Sequence, residues 1–197
     1  MQGLWEEGRA QLRQGIDALV GELSRTYFLA LLAAGYGGAG QADEGLATVA
    51  EALRLVDKND ERFYEAELHR LKGELTLKQE SQKAKVKEQK SKITDPRPLT
   101  SNPQAAVAQE AEGYFQKAIE IAQRQQAKSL ELRAVMSLVR LRQQQATQQG
   151  SRTTQHETRT RLDAARSMLS DIYHWFTEGF DTKDLQEAKT LLEELTH

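Results

Sequence analysis

The 197-residue chain carries 27 Lys and Arg against 29 Asp and Glu, a formal charge of −2, so no overall field gathers nucleic acid or an acidic membrane. It has no cysteine, which excludes disulfides, thiolate chemistry and cysteine zinc sites and fits a reducing compartment. No apolar run approaches the ~20 residues that span a bilayer, and the opening MQGLWEEGRAQLRQG has no apolar core of signal-peptide length, so a cytoplasmic protein without a membrane partner is expected.

All three prolines, Pro96, Pro98 and Pro103, fall in one window, and the rest is rich in Ala, Leu, Glu, Gln, Lys and Arg, the good helix formers. Period-two β-branched runs are missing, which predicts an all-α fold. The first predicted helix, residues 3–20, carries Gly8-x3-Leu12-x2-Gly15. A second holds Leu29, Leu32, Ala33 and Tyr36, closed by Gly40, and a third holds Gly45-x3-Val49-x2-Ala52. Next come Leu68, Leu71 and Leu75; then Ala111-x3-Phe115-x2-Ala118; then Val135, Leu138 and Val139, with Arg142 where an aromatic is expected. Ala165-x3-Leu169-x2-Ile172 follows.

This alternation is the tetratricopeptide pattern, in which small residues let antiparallel helices approach and large ones fill the groove. The intervals from Gly15 to Ala52, Ala118 and Ile172 are 37, 66 and 54 residues, so the last two contain insertions. Residues 79–105, lysine-rich and then proline-containing, predict a flexible insertion, and residues 147–160 a shorter polar one. Near the end, Gly179 stops a helix. Asp181 then caps the next, with Asp184 three residues on and Phe180 and Leu185 placed as a hydrophobic staple. Leu185, Ala188, Leu192 and Leu195 share one apolar face, so residues 181–197 read as a capping helix. The expected architecture is one domain over 1–197, a tetratricopeptide-type right-handed superhelix of about three helix pairs.

The stretches YFLALLAAGYGGAGQADEGLA (27–47), ERFYEAELHRLKGEL (61–75), QQAKSLELRAVMSLVRL (125–141) and WFTEGFDTKDLQEAKTLLEEL (175–195) carry a family likeness. The chain resembles the tetratricopeptide-repeat C-terminal region of bacterial multidomain signalling proteins with an AAA-like or STAND-type ATPase, often behind a class III adenylate/guanylate cyclase or a protein kinase domain. That resemblance implies a docking or sensing α-solenoid and no catalysis in these residues.

Candidate chemistry is thin. Gly35-Tyr-Gly37-Gly-Ala-Gly40 spells G-x-G-x-x-G, but no strand–helix alternation surrounds it and an inter-helix turn explains it better. His69, His156, His174 and His197 show no metal-ligand spacing, and Glu65 with His69 at i, i+4 reads as a surface pair. Lys78, Lys83, Lys85, Lys87, Lys90 and Lys92 lack the interleaved aromatics of a nucleic-acid site and read as a solvated linker. No catalytic, cofactor or metal residue is therefore assigned.

Helical position places Tyr27, Ala34, Gly37, His69, Arg133, Met136, Arg140 and Gln143 on the concave face lined by first helices. The two arginines there favour an acidic peptide or a carboxylate. The first helix matches a second helix of a pair. Its Trp5, Leu12, Ile16 and Leu19 are therefore expected to form an uncovered face, for self-association or for a missing repeat of a longer protein. The function expected is a protein–protein interaction scaffold, the regulatory arm of a signalling ATPase or cyclase, meeting a protein or peptide, upstream domains or a second copy. A structural self-association module is the alternative.

Overall fold

Prolines interrupt helices by removing a donor and clashing with the preceding turn, and here they stand only at 96, 98 and 103. The computed structural model describes residues 2–18, 25–91, 103–148 and 152–195, and among these it is helical with no strand. The helices are α1 (Gln2–Ala18), α2 (Arg25–Gly38), α3 (Ala42–Asn59), α4 (Glu65–Ser91), α5 (Pro103–Arg124), α6 (Lys128–Gln148), α7 (Arg152–Trp175) and α8 (Lys183–Glu194). None of the described helices is long and apolar enough to cross a membrane. The chain divides into two units, Met1–Tyr114 and Phe115–His197.

In the first unit α2 and α3 form a helical hairpin, α4 packs on both, and α1 packs on α2. The hairpin turn is a Schellman closure: Gly40 takes φ +73°, the Gln41 N–H donates to the Tyr36 carbonyl at 2.9 Å, and the Gly40 N–H to that of Gly37 at 3.5 Å. Glycine suits that left-handed position because it has no Cβ. Leu29, Leu32, Ala33, Val49, Ala52, Val56, Leu68, Leu71, Leu75 and Ile16 form one buried core. In the second unit α6 and α7 form the corresponding hairpin and α8 packs on both. Phe115, Leu132, Val135, Leu138 and Leu169 are buried there. Each unit thus repeats one arrangement, a first helix, a second helix, and a following helix that touches both.

The small–large–third-position stripes of α3, α5 and α7 are buried throughout: Gly45, Val49 and Ala52; Ala111, Phe115 and Ala118; Ala165, Leu169 and Ile172. The same motif in α1 points elsewhere. Gly8 and Gly15 are exposed, and a Cβ at either would meet nothing within 4 Å, whereas Leu12 and Ile16 turn inward. Gly113 is equally open. Glycine in an open helix interior carries an entropic cost without a packing return, so Gly15→Ala and Gly113→Ala should each raise unfolding stability by ~0.5–1 kcal/mol, read from urea denaturation midpoints. A loss at either site would show that a neighbour approaches it in solution.

Three expectations about element ends are corrected. The lysine-rich half of the presumed 79–105 insertion belongs to α4, which runs to Ser91, because Lys, Gln, Glu and Ala sustain a helix until a proline intervenes. Pro103 opens α5, where its missing N–H costs nothing; residues 92–102 lie outside the described ones. Most of the 147–160 segment likewise extends α6 and α7. Third, Thr182, not Asp181, is the N-cap of α8. Its hydroxyl donates to the Gly179 carbonyl at 2.7 Å and makes no cap bond. Phe180 lies against Tyr173, ring centroids 5.7 Å apart. Leu185, Ala188 and Leu191 are the buried residues of α8, with Leu192 only partly covered.

Candidate functional site

Among the described residues of the first unit, the exposed large hydrophobic side chains gather on one face of α2 and the turn beside it. Tyr27, Leu31, Ala34 and Gly38 recur at i, i+4, i+7 and i+11, one side of a 3.6-residue period, and all four are exposed. Tyr27 is 36% and Leu31 43% exposed. The other sides hold Leu29, Leu32 and Ala33 in the core beneath α1, α3 and α4, so α2 is apolar nearly all round and this one strip is left uncovered. The turn between α3 and α4 adds rings to this face. Tyr64 meets Tyr27 edge-on at 4.9 Å, Tyr27 meets Phe28 at 5.2 Å, and Phe63, 78% exposed, lies 5.7 Å from Tyr64. Arg62 pins that turn, donating from Nε to Asp60 at 2.7 Å and from Nη1 to Glu65 at 3.2 Å. The Asp60 bond, then that to Glu65, raises the guanidinium above its ordinary pKa.

A charged ladder marks the second unit. Arg133 on α6 pairs with Asp184 on α8 at 3.1 Å, and Arg140 with Glu187 at 2.8 Å. Lys183 also reaches Glu187, at 3.7 Å. Beside this ladder a cleft of about 430 Å³ is lined by Arg140, Lys183, Gln186, Thr190, Leu191 and Glu194. The Arg140 hydrogen bond holds the Glu187 carboxyl below the usual carboxylate range, against the opposing effect of partial burial. Because the folded value is depressed, this contribution is present above the ordinary glutamate pKa of roughly 4.3 and is lost as pH falls through the folded one. Amide protection factors, corrected for the intrinsic exchange rate, should therefore fall on acidification more in α8 than in α7. Arg140→Gln should return the Glu187 titration, followed by NMR, to the ordinary range; an unchanged titration would refute the coupling.

The expected concave set divides. Tyr27 is at the surface as placed, with Ala34, and Gln143 is half-buried. His69 and Met136 are buried instead, and Gly37 is covered by Leu75. For Gly37 and Met136 the helices that carry them are each packed by a third helix, α4 on α2 and α8 on α6, so less of them reaches solvent than a single hairpin leaves exposed; His69 lies on α4, which itself packs on α2 and α3. Arg133 and Arg140 are present but engaged by carboxylates of α8. Of the self-association set, Ile16 is buried in the first unit's core and Leu12 packs against it, which corrects the uncovered face expected there. Leu19 and the side chain of Trp5 lie outside the described residues.

The glycine-rich turn serves packing. A Cβ on Gly45 would stand 2.8 Å from Leu75 Cδ2, and one on Gly37 3.0 Å from the same atom. Two side chains of α4 hold the turn's carbonyls: Lys78 Nζ donates to Gly37 at 3.1 Å and Gln82 Nε2 to Gly40 at 2.7 Å. The helix that follows opens with Asp43 and Glu44, which repel phosphate where a nucleotide loop attracts it. Among the described residues no group of three His, Asp or Glu is placed to hold a metal ion.

Leu31, Phe63, Asp184 and Glu187 were missed by sequence reasoning. Leu31 was legible as the residue one turn beyond Tyr27. The carboxylates carried no spacing signal: the two arginines are seven apart on one helix and the two acids three apart on another, so nothing local pairs them. The chain matches no protein-family model, no curated protein and no solved structure.

Proposed function

We propose that this chain is a non-enzymatic protein–protein interaction scaffold, a tetratricopeptide-type α-solenoid serving as the regulatory or sensing arm of a larger bacterial signalling ATPase or nucleotide cyclase. The observation that carries the binding role is the uncharged, solvent-facing strip of Tyr27, Leu31, Ala34 and Gly38 with Phe63 beside it. Large aromatic and aliphatic side chains held on rigid helices lose little freedom on binding and supply most of the energy of an interface. Nine buried stripe positions on α3, α5 and α7 support the solenoid reading. The signalling context rests on the family likeness of residues 27–47, 61–75, 125–141 and 175–195. The mechanism is equilibrium binding: a partner that prefers one helix arrangement biases whatever is joined to it.

The test uses the intact chain as bait, wild type beside Leu31→Asp and Phe63→Asp. Both sites are exposed, so helicity and unfolding midpoint should stay unchanged while captured proteins, identified by cross-linking and mass spectrometry, fall by about tenfold, as for loss of an anchor residue. Equal capture by all three chains would remove this face as the binding site.

A further inference from the structure

We propose that the α6–α7 surface beneath α8 is a receptor for an acidic amphipathic helix of a partner protein, and that α8 is the occupant it carries in its own chain; this rests on the scaffold reading. The argument begins with charge. Arg133 and Arg140 project from one side of α6 and meet Asp184 and Glu187, one helical turn apart on α8. Between and beyond those acids lie the buried Leu185, Ala188 and Leu191. The occupant is thus defined by a register: acid, large apolar, any residue, acid, small, two of any kind, large apolar. Any helix with that pattern presents the same carboxylates to the same guanidiniums and the same apolar edge to the same floor.

The attachment of α8 is slight compared with that of the helix in the corresponding place in the first unit. There α4 is 27 residues long, buries Leu68, Leu71 and Leu75, and clamps two carbonyls of the α2–α3 turn. Here α8 has 12 residues, three of them buried, and its ion pairs join side chains between 34% and 46% exposed. Exposed pairs steer a helix more than they hold it. Its tether is unburied and locally held: of residues 176–182 none is buried, Gly179 sits at φ +77°, and Thr182 bonds back to Gly179 without capping α8 by its side chain. The open cleft along Arg140 and Thr190 already exposes one flank of the contact.

The probe is a fluorescent peptide with the sequence of residues 180–197, titrated into the full chain and followed by anisotropy. A chain carrying Leu185→Ser and Leu191→Ser loosens its own α8 and leaves the receptor intact, so it should bind the peptide at least about tenfold more tightly than wild type, as release of a competing internal ligand requires. Arg140→Glu in that background should reverse the gain, and a peptide with arginine in place of Glu187 should restore it. No binding by a loosened chain that keeps its helicity and cooperative unfolding would overturn the proposal, as would equal binding of a scrambled peptide. Concentration-dependent dimers of wild type that the peptide dissolves would overturn it in favour of a second copy. Failure here with retained capture through Leu31 and Phe63 would leave the scaffold reading standing; failure of both would remove it.

Discussion

Leu75→Ala should cost about 3 kcal/mol of unfolding free energy, and the same change should reverse the sign of a second substitution. Leu75 is buried, and its δ-methyls fill a notch made by two missing side chains, Gly37 of α2 and Gly45 of α3. Removing it loses the transfer free energy of three carbons and leaves a void that the surrounding helices close only in part, hence the ~2–5 kcal/mol range for such sites. In the wild-type chain Gly45→Ala should destabilise by about 1–3 kcal/mol. Its Cβ would stand 2.8 Å from one Leu75 methyl, 3.1 Å from the other and 3.4 Å from the Ala33 carbonyl oxygen. In the Leu75→Ala chain the same methyl enters vacated space and gains helix propensity, so Gly45→Ala should stabilise there by ~1 kcal/mol. Urea denaturation of the four chains measures the cycle. Additivity within ~0.5 kcal/mol would show that α3 and α4 do not meet through this pair.

The second large effect concerns Arg70. Its guanidinium is largely shielded from solvent and donates to carboxylates from all three nitrogens. It donates from Nε and Nη2 to the two oxygens of Glu67, both at 2.8 Å, and from Nη1 to Glu74. Side-chain exposure is 12% for Arg70 and 6% for Glu67. Burial alone would lower the pKa of the arginine, and the Glu67 hydrogen bonds with both carboxylate charges outweigh it, so the net direction is upward. Arg70→Met should cost about 3–5 kcal/mol, because the buried Glu67 carboxylate loses its guanidinium. Glu67→Met added to that change should recover most of the loss, since a buried pair exchanged for apolar groups of similar volume is near neutral. Thermal unfolding of the two variants decides it; a single variant within ~1 kcal/mol of wild type would mean that water already reaches the pair.

How much of this was legible in advance follows from which forces act locally. The inward stripes of α3, α5 and α7 could be read because close helix approach demands small residues at fixed periods, and every one of those positions is buried. Element ends were read less well. Lysines and glutamines after Gln79 suggested solvated chain, yet the same residues sustain α4 to Ser91, and hydrophilicity alone does not separate an exposed helix from a loop. The candidate surface was misjudged wherever a third helix intervenes. Met136 is buried on α6, a helix packed by both α7 and α8, and that packing depends on residues far along the chain. Arg140 and Glu187 are 47 residues apart, and only the fold makes them neighbours.

The two carbonyl clamps on the glycine-rich turn carry a consequence for synthesis. Lys78 lies 41 residues after Gly37 and Gln82 lies 42 after Gly40. At about 5–20 residues per second the ribosome delivers Gln82 roughly 2–8 s after Gly40. Local helical structure forms in microseconds or less. The nascent α2–α3 hairpin therefore waits through that interval with its turn carbonyls hydrated and its notch unfilled, and the pace of translation, not the conformational search, sets when the first unit closes.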